Sequence, residues 1–245
     1  MHSSSVRNTP RGRRSTLMRL AGCVAVAASV FAAQRFANSA EAAVKVPAPV
    51  QDEKAGASHN ETAVFAGGCF WGVQGVFEHV RGVKQVAAGY SGGAAGTAQY
   101  ETVSEGDTGH AESVRITYDP TQVTYGQLLQ IFFSVVQDPT ELNYQGPDHG
   151  TQYRSAIFPA NPQQRGIAQA YIAQLGNAHV FSAPIVTRVE DFKGFYPAEG
   201  YHQNFLALHP DYPYIVVNDL PKVRALQHMY PDRYLTDPVL LKTGS

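Results

Sequence analysis

Hydrophobic positions along the chain change period several times, and each change marks a predicted element. Residues 62–66 (Thr-Ala-Val-Phe-Ala) are apolar and partly β-branched, which predicts a strand. Gly67 and Gly68 follow as a corner where the backbone must turn. Beyond them Cys69, Phe70, Val73, Val76, Phe77 and Val80 recur at helical spacing, which places Cys69 in the first turn of a helix. Residues 83–90 read as a second strand. Val114, Ile116 and Tyr118 alternate with polar residues and predict a third, ended by Asp119-Pro120. Leu128, Leu129, Phe132, Val135 and Val136 predict a second helix, and residues 152–158 a fourth strand. Asn161-Pro162 joins an N-cap to a proline at the first helical position, opening a helix to about Leu175. Residues 184–189 then read as a strand, and 201–208 and 221–229 as short helices, the last behind Asp219 as its cap.

Two stretches carry no period. Residues 91–109 are rich in Gly, Ser and Thr, with Tyr100 and Val103 as the bulky exceptions, and 141–151 form a second glycine-bearing loop. Loops of this length are commonly functional. The order from Glu61 is β-α-β-β-α-β with later additions. This predicts an α+β fold: a ferredoxin-like two-layer sandwich with additional C-terminal helices and loops. Residues 43–60 lack periodicity and read as a flexible linker, and 235–245 as an unstructured tail, leaving 61–234 as the domain.

A composition of 44% hydrophobic and 16% charged residues is that of a folded globular protein. The formal charge of −1 carries no nucleic-acid signature, but it is unevenly placed. Arg7, Arg11, Arg13, Arg14, Arg19 and Arg35 stand in the first 40 residues without one acid. Residues 20–33 are almost wholly small and apolar, shorter than the ~20 residues of a membrane span. A basic region, an apolar region and the small-x-small pattern Ala40-Glu41-Ala42 predict a secretory signal over 1–42. Arg13-Arg14 resembles a twin-arginine export signal. Leu20-Ala21-Gly22-Cys23 offers the alternative of a lipid anchor at Cys23. The expectation is export to the periplasm after cleavage near Ala42, with membrane contact only during export.

Removal of the signal leaves 13 basic and 19 acidic residues, a formal charge of −6, and Cys69 as the one remaining cysteine. An unpaired thiol in an oxidising compartment points to chemistry. At a helix start, free N–H groups and the dipole favour its thiolate. Glu112 stands at the mouth of a predicted strand beside His110, and Asp148, His149 and Tyr153 do so at the next. Tyr100 sits alone in the long loop.

Four segments together resemble the peptide methionine sulfoxide reductase family, A type. They are Gly68-Cys69-Phe70-Trp71-Gly72, Gly89-Tyr90-Ser91-Gly92-Gly93, Gly109-His110-Ala111-Glu112 and Asp148-His149-Gly150-Thr151-Gln152-Tyr153-Arg154-Ser155. The resemblance implies Cys69 as nucleophile on the sulfoxide sulfur and Glu112 as the acid that protonates its oxygen. It implies Tyr100 and Tyr153 as hydrogen-bond donors to that oxygen, Asp148 as support, and Phe70 and Trp71 as an aromatic wall around the substrate methyl group. The S epimer of methionine sulfoxide, in peptides and oxidised proteins, is the implied substrate. The chemistry agrees, because sulfoxide oxygen leaves poorly unless protonated. A glutamate protonated at neutral pH must be lifted well above ~4.3 by burial.

Relatives often carry a resolving cysteine in a C-terminal tail, whereas residues 235–245 hold none and Ser104 stands where some relatives have another. The expectation is a single-cysteine cycle through a sulfenic acid on Cys69. An external thiol, either a thioredoxin-like protein or dithiothreitol in vitro, would complete it without any bound cofactor or metal, in a monomer. Two rivals are a cysteine hydrolase using His110, His149 or His202 as base, and a non-catalytic thiol sensor.

Overall fold

The computed structural model describes residues 1–2, 43–54 and 59–242. The chain divides into Met1–Asn38 and Ser39–Ser245, and the second unit carries the fold. The export signal, Arg13-Arg14, Cys23 and the cleavage position near Ala42 lie outside the described residues.

The strand predicted before the glycine corner is β1 (Glu61–Ala66), and the helix after it is α1 (Phe70–Glu78). β2 (Val83–Ser91), α2 (Tyr100–Ser104) and β3 (Ala111–Tyr118) follow. Next come α3 (Tyr125–Ile131), which runs on through a π-helical turn at Phe132–Val136, and β6 (Ala156–Ile157). Between them β4 (Tyr144–Gln145) and β5 (Asp148–His149) form a separate two-stranded ribbon. The remainder comprises α4 (Pro162–Asn177), β7 (Arg188–Val189), β8 (Phe195–Pro197), α5 (Phe205–Leu208) and α6 (Leu220–Met229). The main sheet has the order β7-β6-β1-β3-β2-β8. Its inner four strands, β6-β1-β3-β2, pair antiparallel throughout, which is the ferredoxin-like arrangement. Phe65, Phe77, Tyr125 and Phe132 meet in the core, with Phe65 centroids 5.2 to 5.8 Å from the other three.

Several elements differ from the sequence pattern, each for a tertiary reason. The predicted strand 152–158 is reduced to Ala156–Ile157, preceded by a 3₁₀ turn at Thr151–Tyr153. The turn brings Arg154 inward, where its guanidinium donates to the carbonyls of Gly109, His110 and Thr151 and pairs with Glu190 at 2.8 Å. Of 184–189, only Arg188–Val189 is strand, because β6 offers a partner just two residues long. β8 pairs with Gly89–Ser91 at the other edge, and three residues are too few for alternation to announce. The predicted helix 201–208 is split at Asn204, whose φ of 56° is left-handed. Asp219 does not cap α6 with its side chain; it is 1% exposed and faces α1.

The linker and tail expectations also need correction. Residues 43–54 are a strap along the domain: Val46 is 2% exposed in the core, and Val44 N–H donates to the Ser134 carbonyl at 2.9 Å. Asp52 and Glu53 accept from the Gly126 and Tyr125 N–H groups at 2.8 and 2.6 Å, satisfying free donors at the start of α3. Residues 235–242 contain no helix or strand, yet Leu235 and Val239 N–H groups donate to the His79 and Glu78 carbonyls at 2.8 Å each. A periodic pattern cannot report such segments, because one buried side chain and a few backbone bonds hold them.

If the strap contributes to the core, Val46→Ala removes two buried carbons and leaves a small cavity. The expected loss is about 2 kcal/mol in urea denaturation, whereas a free tether would show no change.

Candidate active site

Cys69 sits one residue earlier than its hydrophobic spacing suggested, as the N-cap of α1, with φ −54° and ψ 123°. The corner that delivers it needs Gly68, whose φ is +89° and whose missing side chain leaves room for Gln145. Cys69 is partly exposed and free. Its acidity runs against the helix-start argument. Burial lifts the thiol well above its ordinary range, Glu112, Asp219 and Asp148 add negative potential, and one backbone N–H bond at Trp71 pulls the other way. Cys69 therefore rests as a thiol. The helix terminus loses to desolvation and three carboxyl groups.

Glu112 lies on β3 opposite Tyr90 and is 3% exposed. Its Oε2 accepts the N–H of Phe70 at 2.9 Å, so the carboxyl rests against the residue next to Cys69. Burial raises its pKa to about 8, the Phe70 bond opposes this, and Asp148 and Asp219 reinforce it. At neutral pH the group is thus mostly a carboxylic acid. Acid and thiol share one corner of the domain.

Tyr153 and Tyr100 complete this side. Both phenols are pushed up by burial first and by Glu112 next, and both feel Cys69, so they remain neutral donors. Glu199 holds α2 in place by accepting the Tyr100 N–H at 3.0 Å, and the Tyr100 ring lies 4.4 Å from His202. Phe70 is 1% exposed and packs on Tyr90 and His202, at 5.9 and 5.0 Å, as the apolar floor. Trp71 is the accessible part of the wall. Its Nε1–H donates to His202 Nδ1 at 3.2 Å, its ring stacks on Phe205 at 3.9 Å, and Tyr214 stands edge-on at 6.0 Å.

On the far side of the thiol a polar pocket is lined by Gln145, Asp148, Tyr214, Asn218 and Lys222. Tyr214 donates to Asp148 Oδ2. Burial raises the Asp148 pKa, while Tyr214, Lys222 and His149 oppose the rise. Asp219 packs so closely over the first turn of α1 that any Cβ at Gly72 would collide with its carboxylate. Tyr214, Asp219, Lys222, Glu199 and the Trp71–His202 bond have no motif in the sequence. Asp219 did carry a signal, an acid just ahead of a proline-led helix, but it pointed to a cap rather than to this site.

Of the three histidines that could serve a hydrolase, His110 and His149 are engaged in their own loops, and His202 packs against the site with its Nε2 unpartnered. His110 Nδ1 accepts the Gly93 N–H at 3.2 Å and its Nε2 bonds the Ala94 carbonyl at 2.9 Å. His149 stacks on Tyr144 at 5.2 Å. His202 Nδ1 accepts a hydrogen bond from the indole N–H, and burial lowers its pKa, which favours the neutral ring. Among the described residues, no cluster of three or more His, Cys, Asp and Glu side chains could hold a metal.

Comparison with known proteins identifies the family. The sequence profile described as peptide methionine sulfoxide reductase matches residues 61–234. A peptide methionine sulfoxide reductase MsrA 2 of Mesorhizobium japonicum is 63% identical over 194 residues, 79% of this chain and 99% of the relative. A protein of the same description from Synechocystis is 55% identical, over 77% of this chain and 89% of its own. Among solved structures, reduced Mxr1 of Saccharomyces cerevisiae is similar with a TM-score of 0.57 and 30% identity, covering 65% of this chain and 91% of that one. Methionine sulfoxide reductase A of Corynebacterium diphtheriae aligns with a TM-score of 0.54 and 33% identity, over 69% and 85% of the two chains. The chain belongs to the peptide methionine sulfoxide reductase family, A type.

Proposed function

We propose that Cys69 and Glu112 are the nucleophile and acid with which this oxidoreductase reduces the S epimer of methionine sulfoxide in peptides. One observation carries the assignment: a carboxyl with a pKa of about 8 accepts the backbone N–H directly after the thiol residue. The sulfoxide oxygen takes hydrogen bonds from Glu112, Tyr100 and Tyr153, and the methyl group lies against Trp71 over the floor of Phe70. Asp148 orients the opposite wall through Tyr214. As the Cys69 sulfur attacks, Glu112 gives its proton to the oxygen and becomes a buried carboxylate. That carboxylate is then the base that accepts the thiol proton, so one negative charge moves through the pair and two never coexist. The oxygen and its proton end on Cys69 as sulfenic acid. The substrate sulfur gains two electrons and leaves as methionine.

Regeneration draws on an external dithiol, a thioredoxin-like protein or dithiothreitol, which returns Cys69 to the thiol and releases water and a disulfide. The absence of any other cysteine after residue 42 supports this single-cysteine cycle. We further propose that the mature protein is a periplasmic monomer. The basic, apolar and small-x-small order of residues 1–42 supports a signal cut near Ala42, with a lipid anchor at Cys23 as the alternative.

Glu112→Gln keeps the shape but has no proton to give. Methionine release is expected to fall roughly 10²- to 10⁴-fold in a stopped-flow or chromatographic assay, while a cysteine hydrolase would largely survive. Without reductant, the wild-type enzyme is expected to release about one methionine per Cys69. It then carries a sulfenic acid trapped by dimedone, readable by mass spectrometry. The pH profile follows from the sign of the Glu112 shift: the proton donor is present below a pKa of about 8 and lost above it. Single-turnover rates should therefore decline on the alkaline side. Asp219→Asn removes one of the charges holding that proton, and the decline should move to lower pH.

A further inference from the structure

We propose that the exposed apolar rim of Leu208, Tyr212 and Val216 is a subsite for the apolar residues flanking an oxidised methionine in an unfolded polypeptide. This rests on the reductase reading of the site and specifies the substrate it favours. Trp71 is the link. Its stack on Phe205 is nearly parallel, at 9°, and Tyr212 sets its edge against both rings, 6.2 Å from Trp71 and 5.5 Å from Phe205. The aromatic surface that begins beside the thiol thus continues outward across three rings.

Helix geometry extends it to the rim. Leu208 follows Phe205 by three residues in α5. Val216 N–H donates to the Tyr212 carbonyl at 3.0 Å, which places it one turn further along the same side. Leu208, Tyr212 and Val216 are 60%, 48% and 43% exposed. A lone exposed apolar side chain needs no explanation, but three bordering an aromatic path from a nucleophile form a surface that gains by being covered. An extended chain repeats its face every second residue, so the side chains flanking a sulfoxide held at Trp71 run out along this aromatic path. In folded proteins the apolar sequence neighbours of a methionine are themselves buried, so a rim that reads them selects segments out of their fold.

The test compares two short peptides with one central methionine sulfoxide, flanked by Leu and Phe or by Ser and Gly, alongside free methionine sulfoxide. Rates are taken in single turnover, so that the reductant does not enter. The wild type is expected to favour the apolar flanks by about tenfold, carried by substrate affinity. Leu208→Ser with Val216→Ser should bring the two peptides near parity and leave free methionine sulfoxide unchanged. Equal use of the peptides by the wild type, or an undiminished preference in the double variant, would overturn the proposal. So would an unaltered preference with slower steady-state turnover under a thioredoxin, which would assign the rim to the reductant. Equal loss on all three substrates would give these residues a structural role instead. Failure of the wild type on every sulfoxide would strike the reductase reading itself.

Discussion

The hydrogen bond from the Phe70 N–H to Glu112 Oε2, 2.9 Å long, joins the two parts on which the site depends. One end is the start of α1, where a free backbone donor is unavoidable because a helix leaves its first N–H groups unpaired. The other is a carboxyl buried on the central strand β3. Burial makes that carboxyl an acid of pKa about 8, and the N–H bond limits how far the pKa rises. The same proximity to Glu112 keeps Cys69 a thiol, since an ionised thiol there would face three carboxyl groups in a poorly solvated corner. A pair that favours holding both protons is the consequence.

The surrounding fold supports this pair from both sides. The antiparallel order β6-β1-β3-β2 brings the end of β1 and the start of β3 to the same end of the sheet, so the glycine corner and Glu112 meet there. Glu199, in the loop after β8, fixes Tyr100, while Tyr214 and Asp148 fix the opposite wall. Asp219 closes over Gly72 and lends its charge to both members of the pair. The aromatic group around Trp71 is itself anchored, by the indole bond to His202 and the stack on Phe205. The aromatic group joins the polar one through His202, which packs on Tyr100, and through Tyr214, which bonds Asp148.

Local order in the sequence was sufficient for much of this. The period-two runs, the helical spacing after Gly68 and the Asn161-Pro162 start specify β1, β2, β3, α1 and α4, because each buries one continuous face whose spacing repeats along the chain. The motif residues Cys69, Glu112, Tyr100, Tyr153, Asp148, Phe70 and Trp71 were likewise visible as polar or aromatic groups in glycine-bearing stretches, and the fold brings them to one site. Distant contacts settled the rest. The strap at 43–54 and the tail at 235–242 are ordered by partners far along the chain. Three-residue β8 exists because β2 offers an edge. Asp219 changes from a predicted cap to a neighbour of the thiol once α6 packs on α1. The protonation states were hidden for the same reason: helix position alone argues for a thiolate at Cys69, and only the depth of the corner and the carboxyl groups folded around it reverse that sign.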